Sequence, residues 1–363
     1  MSARRKRVYL DLTHLGRHVT GIERIAIELF EKVEFAEADV RAVRSSNLVV
    51  LILKQQLLLP LLALLNPRAE FVFPGFPPSP LMLLARDRVT LYVHDLFLIN
   101  RRQDLGLKAK LYMAWPFRLA VTRLKRFLVN SAKTRSELEP FVADDAEIAL
   151  YRPAVGNVFG VAAGERRARA DATRPLRLLA LGTVEPRKNY AYAAAIRHAL
   201  ARRIDGDVEL HVVGRPGWGG EAERLAGEAG VTMHGYLSLA DARRVIESAD
   251  VYLCTSHDEG LGLPLLEVQF AGLPVVAPDS VVFREVLADS GTFIPQGDAE
   301  AAAQIIAALV GRAGWRSGAT DASLANLERW NRAAETDAQR ARRMFAVTAD
   351  DMARTSTPAA THG

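Results

Sequence analysis

The most informative segment of the chain is Ser256-His-Asp-Glu259-Gly-Leu-Gly-Leu-Pro264-Leu-Leu-Glu267. It follows Val251–Cys254, an apolar run typical of a buried strand, and it precedes an apolar helical segment. Open α/β sheets bind ligands at the carboxyl ends of their strands. Gly260 and Gly262 let the backbone approach a ligand closely, and Pro264 suits a first helical turn whose N–H groups are free for an anion. The segment therefore predicts a ligand-binding loop.

Two acids flank this loop, Glu259 and Glu267. A carboxylate only accepts hydrogen bonds, so the pair suits the hydroxyls of a sugar and a ribose better than it suits phosphate. The alternative is a helix entry with two solvated acids. The position of the pair after a strand favours the binding role.

A second loop is Leu181-Gly182-Thr-Val-Glu-Pro-Arg187-Lys188-Asn189. Its two cations precede a helix, whose dipole and free N–H groups already favour negative charge. Taken alone, an Arg–Lys pair is more often a solvated surface pair. The position between a strand and a helix instead predicts a binding site for a diphosphate.

Short β-branched runs alternate with helical patterns in both halves, which predicts parallel sheets built from β-α-β units. The predicted strands are 8–12, 89–93, 127–129, 176–181, 208–213, 250–254 and 274–277. The predicted domains are an N-terminal domain over 1–165, a linker over 166–175, a C-terminal domain over 176–325, a terminal helix over 326–346 and a disordered tail over 347–363.

The composition is that of a globular protein, with 49% hydrophobic and 25% charged residues among 363. Its single cysteine, Cys254, excludes an intrachain disulfide and fits a reducing compartment. The basic N-terminus is not followed by the apolar run of a signal peptide. A cytoplasmic location is expected.

Positive charge is concentrated in the first part of the chain. Residues 1–160 hold 24 Lys/Arg and 16 Asp/Glu, a net charge of +8, and the remainder carries −3. The most apolar segment, Leu48–Leu65, is interrupted by Lys54, Gln55, Gln56 and Pro60 and falls short of the roughly 20 residues that span a bilayer. It predicts either docking on an anionic inner-leaflet surface or a helix buried under the first sheet.

The segment from Glu259 to Glu267, continued by Ala271-Gly-Leu-Pro-Val-Val276, resembles the two-glutamate motif of the family-four retaining glycosyltransferases of GT-B fold. The resemblance implies two Rossmann-like, doubly wound domains that face each other across a cleft. It implies that Glu259 contacts the transferred sugar, that Glu267 contacts the nucleotide ribose, and that the backbone at Gly260, Leu261, Gly262 and Leu263 faces the donor.

Other motifs extend the resemblance. The loop with Gly182, Arg187 and Lys188 resembles the family's phosphate-binding loop, which implies that both cations neutralise the leaving diphosphate, Lys188 foremost. Some members carry an arginine after the glycine where this chain has Thr183. Gly214 lies in a stretch that resembles a donor-pocket loop. Two further likenesses lie in the first domain. His94 is expected beside the donor sugar, and Asp95 is expected to fix the His94 ring or its loop. Gly21 is expected in a loop against the diphosphate.

The resemblance implies a metal-independent hexosyltransferase that moves mannose or another hexose with retention. The donor would be a GDP-, UDP- or similar nucleotide sugar, and the acceptor a saccharide or a lipid-linked saccharide. The implied process is bacterial cell-surface polysaccharide or lipopolysaccharide assembly. Asp205-Gly-Asp207 copies a metal-binding motif, but it lies between a helix and a strand, where Asp-Gly is ordinary turn chemistry. No cofactor and no nucleic acid are expected. The alternatives are a sugar-nucleotide epimerase or hydrolase of the same fold and a non-catalytic sugar-nucleotide-binding protein.

Overall fold

The computed structural model describes residues 6–16, 21–31, 38–100, 110–164 and 175–345. The chain divides into two compact units, one formed by 1–153 with 334–363 and the other by 154–333. The predicted linker at 166–175 lies outside the described residues except for Pro175, and the predicted tail at 347–363 lies wholly outside them.

The first unit contains a six-stranded parallel sheet in the order β2-β1-β3-β4-β5-β6. Its central strands are buried along their length because helices cover both faces of a parallel sheet. The strands are β1 (Lys6–Leu12), β2 (Ala38–Arg44), β3 (Glu70–Phe73), β4 (Val89–Val93), β5 (Arg126–Val129) and β6 (Glu147–Leu150).

Helices of several types connect these strands. The helix Ala132–Leu138 begins after Ser131, because Ser131 Oγ accepts a hydrogen bond of 3.1 Å from the Thr134 backbone N–H. The helical segments are Gly21–Ala26 with a π-helical extension Ile27–Glu31, Leu48–Leu65, the 3-10 helix Pro80–Arg88, Phe97–Asn100, the π-helical Lys110–Ala114 with Trp115–Arg123, Ala132–Leu138 and the 3-10 helix Glu139–Phe141.

The second unit contains another six-stranded parallel sheet, in the order β12-β11-β10-β7-β8-β9. The strands are β7 (Leu176–Leu181), β8 (Val208–Val213), β9 (Val231–Gly235), β10 (Val251–Leu253), β11 (Val275–Pro278) and β12 (Gly291–Ile294). The α-helices between them are Tyr190–Ala201, Glu221–Leu225, Leu239–Ser248, Leu263–Glu267 and Val281–Leu287, and Ala299–Val310 follows β12. The predicted doubly wound α/β class is confirmed.

Strand order defines a switch point in each sheet, where successive connections diverge to opposite sides. In the first unit the chain moves from β1 outward to β2 and then returns past β1 to β3, so the switch point lies between β1 and β3. In the second unit β8 and β9 lie on one side of β7 and β10 lies on the other, so the switch point lies between β7 and β10.

The final helix, Trp315–Met344, begins well before the predicted start at 326. In the second unit, its side chain Trp330 is fully buried in the apolar core with Leu327. From Ala334 onward the helix belongs to the first unit. There, Arg152 Nε donates to Asp337 Oδ2 at 2.5 Å, and both side chains are largely buried.

Candidate active site

Two glycines bring together the loops that follow β7 and β8. Gly182 has a φ of 133°, which L side chains rarely adopt, and a Cβ there would lie 3.1 Å from Lys188 Cε. A Cβ at Gly214 would lie 1.8 Å from the carbonyl oxygen of Gly182. Glycine is therefore required at both positions for steric reasons. Their predicted contact with a donor remains a prediction.

The two cations of the β7 loop lie in a 3-10 turn, Pro186–Lys188. Asn189 follows in the left-handed region, with a φ of 51°, and helix Tyr190–Ala201 begins after it. The turn forms here because proline sets its first φ and asparagine tolerates the left-handed conformation. The cations are thus one turn ahead of the helix rather than within its first turn.

Arg187 and Lys188 both bind Glu259, which follows β10. Lys188 Nζ lies 2.6 Å from Glu259 Oε1, and Arg187 Nη1 lies 2.6 Å from Glu259 Oε2. Arg187 Nη2 also lies 2.9 Å from Glu185 Oε1. The Lys188 and Glu259 side chains are only 13% and 10% exposed, so water screens their attraction weakly. The predicted catalytic groups of the two loops therefore form one ion cluster at the switch point between β7 and β10.

The cluster fixes the ionisation of Glu259. Burial alone would raise the pKa of its carboxyl group, but Lys188 and Arg187 outweigh burial and lower the pKa to about 2. Burial likewise opposes the charge of Arg187, and Glu259 and Glu185 outweigh that effect and raise the guanidinium pKa. Glu259 is therefore an anion at any working pH, which makes it a hydrogen-bond acceptor and a poor general acid.

Backbone and hydroxyl hydrogen bonds hold the β10 loop against the cationic turn. The His257 backbone N–H donates to the Arg187 carbonyl oxygen at 2.9 Å, and Thr255 Oγ1 donates to the Lys188 carbonyl oxygen at 2.9 Å. Ser256 Oγ donates to Glu259 Oε1 at 2.8 Å. These bonds restrict the freedom of the charged side chains, so the cluster is preorganised.

The predicted donor loop continues from Glu259 into a short helix, Leu263–Glu267. Gly262 precedes it with a φ of 81°, and a Cβ there would lie 2.6 Å from Leu265 Cδ1, so glycine is needed. Leu261 is 3% exposed and belongs to the apolar core, so a donor can meet it only through its backbone. Gly260 and Leu263 lie on either side, half-buried.

Glu267 closes that helix and is only 3% exposed. A largely buried carboxylate is held in place by its surroundings, which suits a fixed acceptor for two ribose hydroxyls. The helix has five residues, so its dipole adds less negative-charge stabilisation than the sequence suggested.

In the first unit, His94 follows β4 at the carboxyl end of the sheet. Its Nε2 lies 2.7 Å from the Pro74 carbonyl oxygen, and its own carbonyl accepts a 2.8 Å bond from Asn130 Nδ2. Asp95 Oδ1 instead accepts a bond of 3.0 Å from the Phe97 backbone N–H, which caps the following turn. The structure thus gives Asp95 a role in the loop. Burial lowers the pKa of His94, so its ring is neutral at pH 7.

A second imidazole, His14, lies in the turn after β1 and was not predicted as a site residue. It is 5% exposed, and neither ring nitrogen has a hydrogen-bond partner among the described residues. A Cβ at Gly75, after β3, would lie 2.4 Å from the His14 ring. The ring thus lies at the switch point between β1 and β3, where burial, with a smaller effect of His94, lowers its pKa to about 4.

Gly21 begins helix Gly21–Ala26, and a Cβ there would meet no atom within 4 Å. Packing therefore gives no reason for glycine at this position. Residues 17–20, which precede it, lie outside the described residues. Its expected place against a diphosphate remains a prediction.

Within the described ranges, no three His, Cys, Asp or Glu side chains are grouped so that they could hold a metal ion. The 205–207 segment lies in the connection between helix Tyr190–Ala201 and β8, as expected for a turn.

The family model that matches the chain is described as "Glycosyl transferases group 1" and covers residues 175–312. Residues 175–312 are a group 1 glycosyltransferase domain. The ion cluster, both glutamates and the required glycines at 182, 214 and 262 all lie inside this group 1 domain.

Two curated bacterial relatives each match part of the chain. A phosphatidyl-myo-inositol mannosyltransferase of Mycolicibacterium smegmatis is 38% identical over 136 residues, 35% of this chain and 33% of that protein. An O-antigen chain mannosyltransferase B of Escherichia coli is 28% identical over 158 residues, 42% of each chain. The matches thus span about a third to two fifths of the length of these relatives.

The whole chain is similar in fold to HepE of Anabaena, solved with UDP and glucose. The TM-score is 0.66 at 16% identity, over 94% of this chain and 99% of HepE. The likeness shows the fold, so the predicted GT-B architecture of two Rossmann-like domains is confirmed.

Several residues around the cluster were not predicted. Glu185 and Ser256 bind the cluster directly. Each lies within a quoted motif, Glu185 two residues from Arg187 and Ser256 three residues from Glu259. The pattern of charge gave no sign of which partner each cation would choose. His14 was missed because a histidine in a turn after a strand has no motif around it, and only its burial and missing partners identify it.

Proposed function

We propose that the chain is a glycosyltransferase that moves a hexose from a nucleoside-diphosphate sugar to a saccharide or a lipid-linked saccharide. One observation carries the proposal: Lys188, Arg187 and Glu259 form a preorganised ion cluster at the switch point of the group 1 domain. Open α/β sheets bind ligands at this point. Two cations there match a diphosphate, and the acids match hydroxyls.

The two cations would stabilise the leaving group. When the bond between the anomeric carbon and the phosphate oxygen breaks, negative charge builds on the diphosphate, and groups already aimed at that charge lower the barrier. Lys188 and Arg187 are held by Glu259 before a ligand binds, so they need little reorganisation. The pair neutralises a diphosphate in part without a metal, and we include metal independence in the proposal.

We include retention in the proposal, and the state of Glu259 supports it. Its lowered pKa and its two ion pairs make it a weak base and a poor nucleophile. A same-face transfer does not require it in those roles. The acceptor hydroxyl forms the new bond to the anomeric carbon, and its proton passes to the departing phosphate oxygen. Glu259 then contacts the sugar hydroxyls, and Glu267 contacts the ribose.

Mannose is the first hexose to test, because both named relatives are mannosyltransferases. GDP and UDP are the first nucleotides to test, and HepE was solved with UDP. The names of the relatives also support a place in bacterial cell-surface polysaccharide or lipopolysaccharide assembly. We propose a cytoplasmic protein that works at the inner leaflet, where lipid-linked acceptors are presented.

A panel of nucleoside-diphosphate sugars, each added with EDTA, would test the proposal by thermal shift, because a ligand that binds the native state raises the melting temperature by mass action. The donor that binds is then supplied with candidate acceptors, and NMR of the product reads its anomeric configuration. We expect transfer with retention.

The other candidate functions give different results in this assay. Conversion of the donor to its epimer, or release of free sugar as the sole product, would indicate an epimerase or a hydrolase. Binding without turnover would indicate a sugar-nucleotide sensor. If no nucleotide sugar shifted the melting temperature, the proposed donor class would be wrong.

A further inference from the structure

An exposed apolar helix lies on the first unit. The helix Leu48–Leu65 has a mean hydropathy of 2.2, and only 28% of it is buried. Nine of its apolar side chains are between 37% and 68% exposed. The expectation of a helix buried under the first sheet is therefore wrong for most of this surface. Apolar patches of this size on soluble proteins usually mark an interaction site.

The helix is fixed along the unit by one narrow face. Leu51, Gln55, Leu59 and Ala63 recur every four residues and are buried. Gln55 Nε2 donates to the buried Asp11 Oδ2 at 2.7 Å. By length and composition the helix could cross a membrane, but crossing would expose Gln55 and break this bond. The packing favours a helix that lies on a surface.

The opposite side carries what we call the leucine face: Leu53, Leu57, Leu61, Leu64 and Leu65. Two further leucines, Leu81 and Leu84, are 51% and 77% exposed on the 3-10 helix Pro80–Arg88. That helix packs beside the C-terminal part of Leu48–Leu65, with Met82 and Ala63 in one apolar cluster.

The stretch of sequence that carries the leucine face contains basic residues and no acidic ones. No Asp or Glu occurs between Asp39 and Glu70. The cations in this stretch are Arg41, Arg44, Lys54 and Arg68, of which Arg41 and Arg44 pair with Asp39 and Glu31. Arg88 fastens the end of the helix by donating to the carbonyl oxygens of Ala63, Asn66 and Ala69. Basic residues beside an apolar helical face are typical of helices that lie in the interface of anionic bilayers.

We propose that the leucine face docks the chain on an anionic lipid bilayer, with the helix axis in the plane of the interface. The inference deepens the proposed function and rests on it in one respect, since a lipid-linked acceptor would be met at that surface. The face is purely aliphatic, whereas the cores of protein interfaces are enriched in aromatic residues, Met and Arg. A bilayer accepts such a face without complementary pockets.

Flotation of the full chain with equimolar phosphatidylglycerol and phosphatidylcholine vesicles at low salt tests this proposal. The wild type is expected to float. A triple variant, Leu57→Glu, Leu61→Glu and Leu64→Glu, places charges where side chains are 51% to 64% exposed. We expect its partition onto vesicles to fall at least about 100-fold, because three apolar contacts are replaced by anions.

The matched control is Leu239→Glu, Val281→Glu and Leu324→Glu, three similarly exposed positions in the second unit. This variant is expected to float like the wild type. The inference is overturned if the wild type stays in solution or if the leucine-face variant floats equally well. It is also overturned if the lipid-free wild type is a dimer and the leucine-face variant is a monomer, because a second copy of the chain would then cover the face.

Thermal shift with a nucleoside-diphosphate sugar is measured on the same three preparations. The donor response should be equal in all three, because the leucine-face substitutions lie in the first unit and the control substitutions replace exposed side chains outside the ion cluster. A wild type that responds to the donor and does not float contradicts only the docking. A wild type that floats and responds to no donor contradicts the proposed function.

Discussion

The two sheets carry chemically different groups at their switch points. In the second unit, Arg187 and Lys188 after β7 form the ion cluster with Glu259 after β10 through contacts of 2.6 Å, and Arg187 also contacts Glu185 at 2.9 Å. In the first unit, the switch point between β1 and β3 holds the neutral, buried imidazole of His14, which has no hydrogen-bond partner among the described residues.

The difference separates two kinds of ligand chemistry on similar scaffolds. A preformed ion cluster suits a ligand that brings its own negative charge. A neutral imidazole offers one donor and one acceptor, which suits hydroxyl groups. The scaffold therefore fixes where each site lies, and the side chains after the strands fix what it can bind.

Lys188→Ala gives the largest expected effect. It removes a charge aimed at the leaving group, so turnover should fall by about 100-fold or more. Arg244→Ala, which alters a largely exposed cation of the same unit, is the control and should leave initial rates unchanged. Wild-type turnover in Lys188→Ala would remove Lys188 from the proposed role.

Glu259→Gln tests the ion cluster through stability. The folded-state pKa of about 2 lies below the ordinary value of 4.5, so the carboxylate contributes stability above pH 4.5 that is lost as pH falls toward 2. The difference between these two pKa values corresponds to about 3 kcal/mol in the free energy of unfolding. Urea unfolding measured from pH 7 to pH 3 should show that the difference in free energy of unfolding between wild type and variant becomes smaller as the pH falls. A gap that is independent of pH would contradict the paired state of Glu259.

Glu267→Ala should weaken nucleotide binding by about 10- to 100-fold, the loss expected for hydrogen bonds to a charged acceptor. Calorimetric titration with GDP or UDP measures it. Glu228→Ala, at an exposed position of the same unit, is the control. An unaltered dissociation constant in Glu267→Ala would refute the ribose assignment.

His14→Phe should produce the smallest change, a gain in stability of about 1–2 kcal/mol at pH 7, because a buried polar group without a partner is removed. The folded-state pKa of about 4 lies below the ordinary 6.5, so wild-type stability is full above pH 6.5 and falls as pH drops toward 4. The advantage of the variant should therefore grow with acid. A destabilised variant would show that the imidazole has a partner that the described residues do not include.

Apolar runs made the central strands predictable from sequence. The bounds of β4, β7 and β8 agree with the predicted 89–93, 176–181 and 208–213. The sequence did not predict edge strand β2, because only two of its seven residues are buried and charges obscure its periodicity. It also missed the short strands β3, β6, β9 and β12, which have too few residues to show a period.

At the candidate site, sequence identified the loops and left their pairing open. Strand order brings β7 beside β10 although 71 positions separate Lys188 from Glu259, and no local pattern encodes that neighbourhood. The left-handed Asn189 and the close approach of Gly214 to Gly182 likewise depend on tertiary packing.

The central claim is that the cationic turn after β7 binds the diphosphate of a nucleotide sugar. Calorimetric titration of GDP against GMP, and of UDP against UMP, isolates the second phosphate in wild type and in Lys188→Ala. We predict that the wild type prefers the diphosphate by at least about 10-fold and that Lys188→Ala loses most of this preference. An equal preference in both proteins would contradict the account.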